Sequence, residues 1–198
     1  MHECERQTSY LEQWDGRHEY GEQFGLTSSE HLRPVVDLIA QHCHGNGIEI
    51  GSGGGRWTRE IVRHCDSLIS IDGTPASERR IHETQIPCDN IEFRVCTDGR
   101  FLCRPQVDFV FSFDVFVHFH PRLFLSYVDS IKQALRMGGV LLLHFATLLR
   151  GSEYNARCFK YWDVDDVIAE TGCELVELMQ FPEGFGSTLV VLRKRLES

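Results

Sequence analysis

Residues 48–55 read Ile48-Glu49-Ile50-Gly51-Ser52-Gly53-Gly54-Gly55, a short apolar run with one carboxylate that breaks into four glycines and then enters a helical pattern. Glycine reaches positive φ freely and carries no Cβ, so a strand-to-helix turn built from it can press backbone amides against a bound ligand. The loop therefore predicts a nucleotide-like cofactor lying against the chain. Its spacing, G-x-G-x-G, differs from the dinucleotide spacing G-x-G-x-x-G, although Gly54 and Gly55 blur the register.

Outward from this loop, short apolar runs alternate with helical segments. Upstream, Leu32, Val35, Val36 and Ile39 recur at helical spacing behind Ser29, a residue suited to an N-cap. Residues 10–25 set Tyr10, Trp14, Tyr20 and Phe24 among charges without a long helical period, and residues 1–28 are read as a lid. Downstream, strands are expected at 47–50, 67–71, 91–96, 107–113 and 140–145, with helices over 56–64, 76–85 and 121–137, the last ended by Gly138-Gly139. The segment 107–113 is almost wholly apolar, as a strand covered on both faces should be. Such alternation predicts a doubly wound parallel sheet. Residues 149–162 make a connection longer than usual and so a candidate for function. Asp163 is placed to cap a helix over 164–170 closed by Gly172, and strands at 174–180 and 188–193 flank the turn Pro182-Glu183-Gly184. Consecutive strands joined by so short a turn run antiparallel.

The 198 residues suit one domain, 1–198, with a single core of moderate size. With 20 Lys and Arg against 29 Asp and Glu, a formal net charge of -9, phosphate backbones are repelled, and nucleic acid is a disfavoured partner. A polar start, Met1-His2-Glu3-Cys4-Glu5-Arg6, and the lack of an apolar run near the ~20 residues of a membrane span point to a cytoplasmic protein. Eight scattered cysteines without a C-x-x-C pattern fit reduced thiols. In His42-Cys43-His44 the neighbouring side chains point in different directions, and no metal is expected.

With Glu49 the loop reads [D/E]-x-G-x-G-x-G, which resembles the first motif of class I S-adenosylmethionine-dependent methyltransferases. Further motifs follow in order over roughly residues 30 to 195. Asp72, in Ile69-Ser70-Ile71-Asp72-Gly73, matches the carboxylate that accepts both ribose hydroxyls, and Thr97-Asp98-Gly99 resembles the adenine-binding turn. The stretch from Phe111 through Phe113-Asp114 to Phe119 is similar to the segment where the fourth strand meets the substrate, with Phe113 and Phe116 near adenine and sulfonium. Leu135-Arg136-Met137-Gly138-Gly139 resembles the family's L-x-P-G-G ending, Met137 replacing proline. The resemblance implies a seven-stranded, mostly parallel α/β sheet with an antiparallel C-terminal hairpin strand. It also implies S-adenosylmethionine as cofactor and S-adenosylhomocysteine as product, held by Glu49, Gly51, Ser52, Gly53, Gly55, Asp72, Gly73, Asp98, Gly99 and Phe113.

Methyl transfer from a sulfonium is an in-line displacement in which alignment supplies much of the rate. An acceptor of high pKa must also lose a proton, and histidine is the side chain best poised for that near neutral pH. His118, four residues after Asp114, is the expected base, with His120 and His144 in reserve. Trp14 and Tyr20 in the lid, Trp57 behind the glycine loop, and Tyr154, Arg157 and Tyr161 in the long connection are the expected acceptor contacts. They predict methylation of an O or N atom of a small-molecule or saccharide acceptor. The absence of an Asn/Asp-Pro-Pro-Tyr/Phe segment after the fourth strand weighs against enzymes that methylate nucleic-acid amines. Two alternatives share parts of the pattern: a non-catalytic partner or regulatory module that binds the same cofactor, and a nicotinamide-dependent oxidoreductase. Oligomeric state is not encoded in any of these features.

Overall fold

A computed structural model of the chain describes residues 29–147, 159, 161–181 and 186–196. Along them run α1 (Ser29–His42), β1 (Gly45–Ile50), α2 (Arg56–Ile61), β2 (Cys65–Asp72), α3 (Ala76–Glu83), β3 (Ile91–Val95) and β4 (Val107–Ser112). A 3-10 turn at Phe116–His118 precedes α4 (Pro121–Ala134), β5 (Leu135–Ala146), α5 (Val164–Thr171), β6 (Cys173–Gln180) and β7 (Ser187–Lys194). All seven strands form one sheet in the order β3-β2-β1-β4-β5-β7-β6. The first five are parallel, and β7 runs antiparallel between β5 and β6.

The period-2 alternation of the strands divides the core into two layers. Val110, Leu141, Leu143 and Val190 face one side, where Phe124, Val128 and Ile131 of α4 and Val167 of α5 cover them. Phe109, Phe111, Leu142 and Val191 face the other, against Val35 and Ile39 of α1 and Trp57 and Ile61 of α2. Both faces of the central strands are thus buried, which explains why the β4 sequence is nearly continuous in apolar residues. Among the described residues, no helix is long and apolar enough to cross a membrane.

The glycine pair after α4 plays a different part from the one its sequence predicts. The helix stops at Ala134, because Leu135 turns extended (φ -74°, ψ 128°) and pairs with Val107 on β4. Residues 136–139 then form an irregularity inside β5: the register jumps from Val107/Leu135 to Phe109/Val140. Gly138, at φ 73°, allows that detour, while Arg136 Nε donates to Asp108 Oδ1 at 2.6 Å. α2 is likewise shorter than the expected 56–64, ending at Ile61, and α3 ends at Glu83.

Candidate cofactor and acceptor site

The strand order reverses direction between β1 and β4, and in an open α/β sheet the crevice beyond the carboxyl ends at such a point is where ligands bind. The glycine loop lies there. Gly51, Gly53 and Gly55 take φ of 78°, 53° and 86°, and Gly51 N–H donates to Ile71 O at 2.7 Å, tying the loop to β2. A Cβ on Gly51 would overlap the Val115 side chain, so loop and β4 exit are in contact.

Asp72, the last residue of β2, holds this loop by its carboxylate. Gly53 N–H donates to Oδ2 at 2.9 Å and Thr74 N–H to Oδ1 at 3.1 Å. Each carboxylate oxygen can accept a second bond. Burial raises the Asp72 pKa, and the donated N–H groups oppose that rise. Under the loop runs a chain of buried hydroxyls: Ser70 Oγ donates to Ser52 Oγ at 2.8 Å, and Ser52 Oγ and Ser77 Oγ share a 2.7 Å bond. β2, the loop and α3 are joined by it.

Glu49 is 1% exposed. Thr58 Oγ donates to its Oε2 at 2.6 Å, while its Oε1 is buried with no hydrogen-bond partner among the described residues. Burial pushes its pKa up to about 8, against the smaller opposing effect of the Thr58 bond, so it is a neutral acid at pH 7. An orphaned carboxyl oxygen beside a positive-φ glycine loop fits a cofactor with hydrogen-bond donors of its own.

The turn after β3 is built from α4. Ser126 Oγ donates to Asp98 O at 2.7 Å, Ser130 Oγ to Gly99 O at 2.7 Å, and Tyr127 OH to Cys96 O at 2.8 Å. Asp98 is exposed, and its Oδ1 accepts from Arg100 N–H at 3.0 Å, as a turn-forming Asp does. A Cβ on Gly99 would meet the backbone nitrogen of Tyr127 at 2.8 Å, so packing alone demands glycine there.

At the end of β4, Phe113 lies between Trp57 (ring centroids 4.9 Å) and His144 (4.3 Å, interplanar 10°). Trp57 is only 7% exposed, and its ring packs in the core against Phe113 and Phe111. Its reach into the site runs through Phe113. His144 Nδ1 accepts the backbone N–H of Asp114 at 3.0 Å, which leaves the imidazole proton on Nε2. Burial, and secondarily His118, lower the His144 pKa to about 3, so this reserve base stays neutral. Burial pushes the Asp114 carboxyl up to about 7, with the Arg56 charge pulling the other way.

His118 closes the 3-10 turn, half-buried and near enough to His144 to act on its protonation. Phe159 N–H donates to Val117 O at 2.7 Å, so the long connection after β5 comes back to this turn. His120, the other reserve, is the N-cap of α4, its side chain accepting from Arg122 N–H ahead of Pro121. Tyr161 is 50% exposed and stacks on Phe159 at 6.0 Å. Trp14, Tyr20, Tyr154 and Arg157 lie outside the described residues, as do the rest of the expected lid and the turn at 182–184.

The structure groups Glu49, Gly51, Ser52, Gly53, Gly55 and Asp72 around the glycine loop, with Phe113 packed in the core at the end of β4 and Asp98 and Gly99 on the turn after the neighbouring strand β3. Sequence reasoning passed over Thr58, Ser70, Ser77 and Val115. The hydroxyl residues carried no signal beyond their type, because their partners stand 9 to 25 positions away.

The family model described as a methyltransferase domain matches residues 48–139. No curated protein is matched by the sequence. Among solved structures, the chain is similar to the N-methyltransferase NodS from Bradyrhizobium japonicum WM9 in complex with S-adenosyl-L-homocysteine: TM-score 0.75, 19% identity, 95% of this chain and 98% of that one covered. It is also similar to DhpI in its S-adenosylhomocysteine complex, at TM-score 0.69 and 20% identity over 98% of both chains. A third likeness is to the Burkholderia thailandensis 1,6-didemethyltoxoflavin-N1-methyltransferase with bound 1,6-didemethyltoxoflavin and S-adenosylhomocysteine, at TM-score 0.70 and 15% identity, covering 96% of this chain and 87% of that one. Taken with the methyltransferase-domain match over residues 48–139, the strand order β3-β2-β1-β4-β5-β7-β6 gives this chain the fold of the class I S-adenosylmethionine-dependent methyltransferases.

Proposed function

We propose that this enzyme moves the methyl group of S-adenosylmethionine to an O or N atom of a small-molecule or saccharide acceptor. The observation that carries the reading is the convergence on one crevice of the β1 glycine loop, the β2 carboxylate bonded to it, and the β4 exit packed against it through Val115. Two of the similar structures are those of N-methyltransferases, one with a small heteroaromatic acceptor bound, which supports a small acceptor and favours nitrogen. A formal net charge of -9 disfavours a polyanionic acceptor.

When bound, the cofactor supplies an electrophilic methyl on a sulfonium. Asp72 would hold the ribose hydroxyls while it keeps the loop in place, and Glu49 would offer its orphaned Oε1 to a donor on the cofactor. Asp98 and Gly99 would meet the adenine, with Gly73 beside Asp72 and Phe113 lining the apolar wall. His118 would take the acceptor's proton, and Trp14, Tyr20, Tyr154 and Arg157 are the proposed acceptor contacts. Trp57 would set the position of Phe113.

Calorimetric titration with S-adenosylmethionine, S-adenosylhomocysteine and NADH, repeated with Asp72→Ala, tests the reading. Binding of the two sulfur nucleotides alone, weakened at least tenfold by the substitution, is expected, since charge-assisted hydrogen bonds are worth ~1.5–3 kcal/mol each. Preference for NADH, or affinity indifferent to Asp72, would sink it.

A further inference from the structure

β6 ends the sheet, bonded to β7 on one side, and among the described residues no strand pairs with its outer edge. Three apolar side chains stand open there: Leu175, Val176 and Leu178 are 43%, 42% and 41% exposed. A bare edge offers a row of backbone donors and acceptors to another strand, and proteins commonly blunt it with charges and bulges. β6 carries both devices: Glu174 and Glu177, and a bulge at Val176, where the register steps from Leu175/Leu192 to Glu177/Val191. Their placement suits one particular partner.

The bulge decides which side chains share a face. Leu175 and Leu178 lie opposite Leu192 and Val190, which enter the core layer under α4 and α5. Glu177 and Met179 lie opposite Val191 and Leu189, which enter the layer under α1 and α2, and the Glu177 charge acts on His42 at the end of α1. In a regular strand, residues three apart point to opposite faces; the extra residue at Val176 brings Leu175 and Leu178 to the same one. Antiparallel self-pairing about a two-fold axis requires opposed residues to share a face. With the axis between Val176 and Glu177, Leu175 of each copy meets Leu178 of the other, Glu174 meets Met179, and Cys173 meets Gln180. All three pairs match in face. Four leucines then form one strip across the axis, and no Glu opposes a Glu. An axis on Glu177 would set the two Glu177 carboxylates against each other, and an axis on Val176 would oppose Leu175 to Glu177 from the wrong face.

We infer that β6 is a dimerisation edge, on which β6 of a second copy of this chain adds antiparallel and joins the two sheets into one. The two glycine-loop crevices then open at opposite ends of the joined sheet. β6 leads into Phe181, whose ring packs edge-on against Phe113 and His144, so the contact adjoins the segment that supports the end of β4. One strand a side is at the small end of specific interfaces, below ~1,200 Å² in total, where association is weak and reversible. The inference is independent of the cofactor assignment.

Sedimentation of the full wild-type chain, from roughly 1 to 300 µM, should show its mass rising from 22.8 kDa toward twice that value. One variant carries Leu175→Lys with Leu178→Lys, and another carries Leu175→Glu with Leu178→Glu. The proposed register puts position 175 opposite position 178 of the other copy, so each variant opposes like charges and should stay at 22.8 kDa, while an equimolar mixture should pair. Both positions are exposed, and melting temperatures near that of wild type would confirm that the variants fold. A wild type that stays at 22.8 kDa throughout would overturn the inference, whether residues 1–28 of the same chain or a different protein covers the strand. Dimerisation of either variant alone would overturn it too, by placing the contact on another surface, and so would folded variants that fail to pair when mixed.

Discussion

Replacing Glu49 by Gln tests the electrostatics of the site independently of any ligand. The native carboxyl is 1% exposed and keeps its proton up to about pH 8, whereas the same group in the unfolded chain ionises near pH 4.3. Between those values the unfolded state has released a proton that the folded state retains. Folding stability therefore falls as the pH rises, by ~1.4 kcal/mol per unit, and levels off above about 8. The accumulated loss between pH 5 and pH 8 is on the order of 3 kcal/mol. Glutamine keeps the size of the side chain and an oxygen for Thr58 Oγ but cannot ionise. Urea denaturation of ligand-free wild type and Glu49→Gln from pH 5 to pH 8 should show the variant gaining ~3 kcal/mol relative to wild type across that range. Asp72, Asp114 and His144 also have shifted ionisation, but they contribute to both proteins and largely cancel in the difference. Parallel stability curves would refute the reasoning, because they would mean that Glu49 is as readily ionised folded as unfolded.

Gly51→Ala places a methyl into Val115 on a backbone at φ 78°, and should cost ~2–4 kcal/mol of stability and abolish S-adenosylhomocysteine binding, both read by thermal shift with and without ligand. If Val115→Ala restored full stability to that variant, the φ contribution would be disproved. Ser70→Ala cuts the buried hydroxyl chain and should cost ~1–2 kcal/mol while weakening cofactor binding severalfold; unchanged affinity would show that the loop does not depend on it. His118→Ala should lower turnover ~10²–10⁴-fold on any amine or hydroxyl acceptor that a methyl-transfer screen returns, with cofactor affinity preserved. Full turnover would remove His118 from the role of base.

What was legible in the sequence follows from locality. The glycine loop, the Asp72 at a strand end and the apolar β4 run each announce themselves within a few residues, and the alternation of periods suffices for the parallel sheet. The features that escaped depend on distant partners. Leu135 leaves the helix because Val107, on another strand, is its ladder neighbour, and nothing in the local Leu135-Arg136-Met137-Gly138-Gly139 string distinguishes a helix stop from a strand detour. The aromatic character of Trp57 was plain, but whether it faced a ligand or the core was decided by Phe111 and Phe113, more than 50 residues away. Asp114 reads as an ordinary polar residue after a strand, and its left-handed turn, at φ 60°, becomes visible only with His144, 30 positions later, in place.

The placement of β7 between β5 and β6 also constrains how the chain is born. β6 pairs with β7 alone, and β7 supplies the other edge of β5 from Val140 to Ala146. During synthesis β6 leaves the ribosome with no neighbour to join, and the apolar side chains Leu141, Leu143 and Phe145 are presented on a strand with one bare edge until residues 187–194 have emerged. The nascent chain then passes through a stage with β1 to β4 already paired and its far edge open to the wrong partner, the interval in which a chaperone would have something to hold.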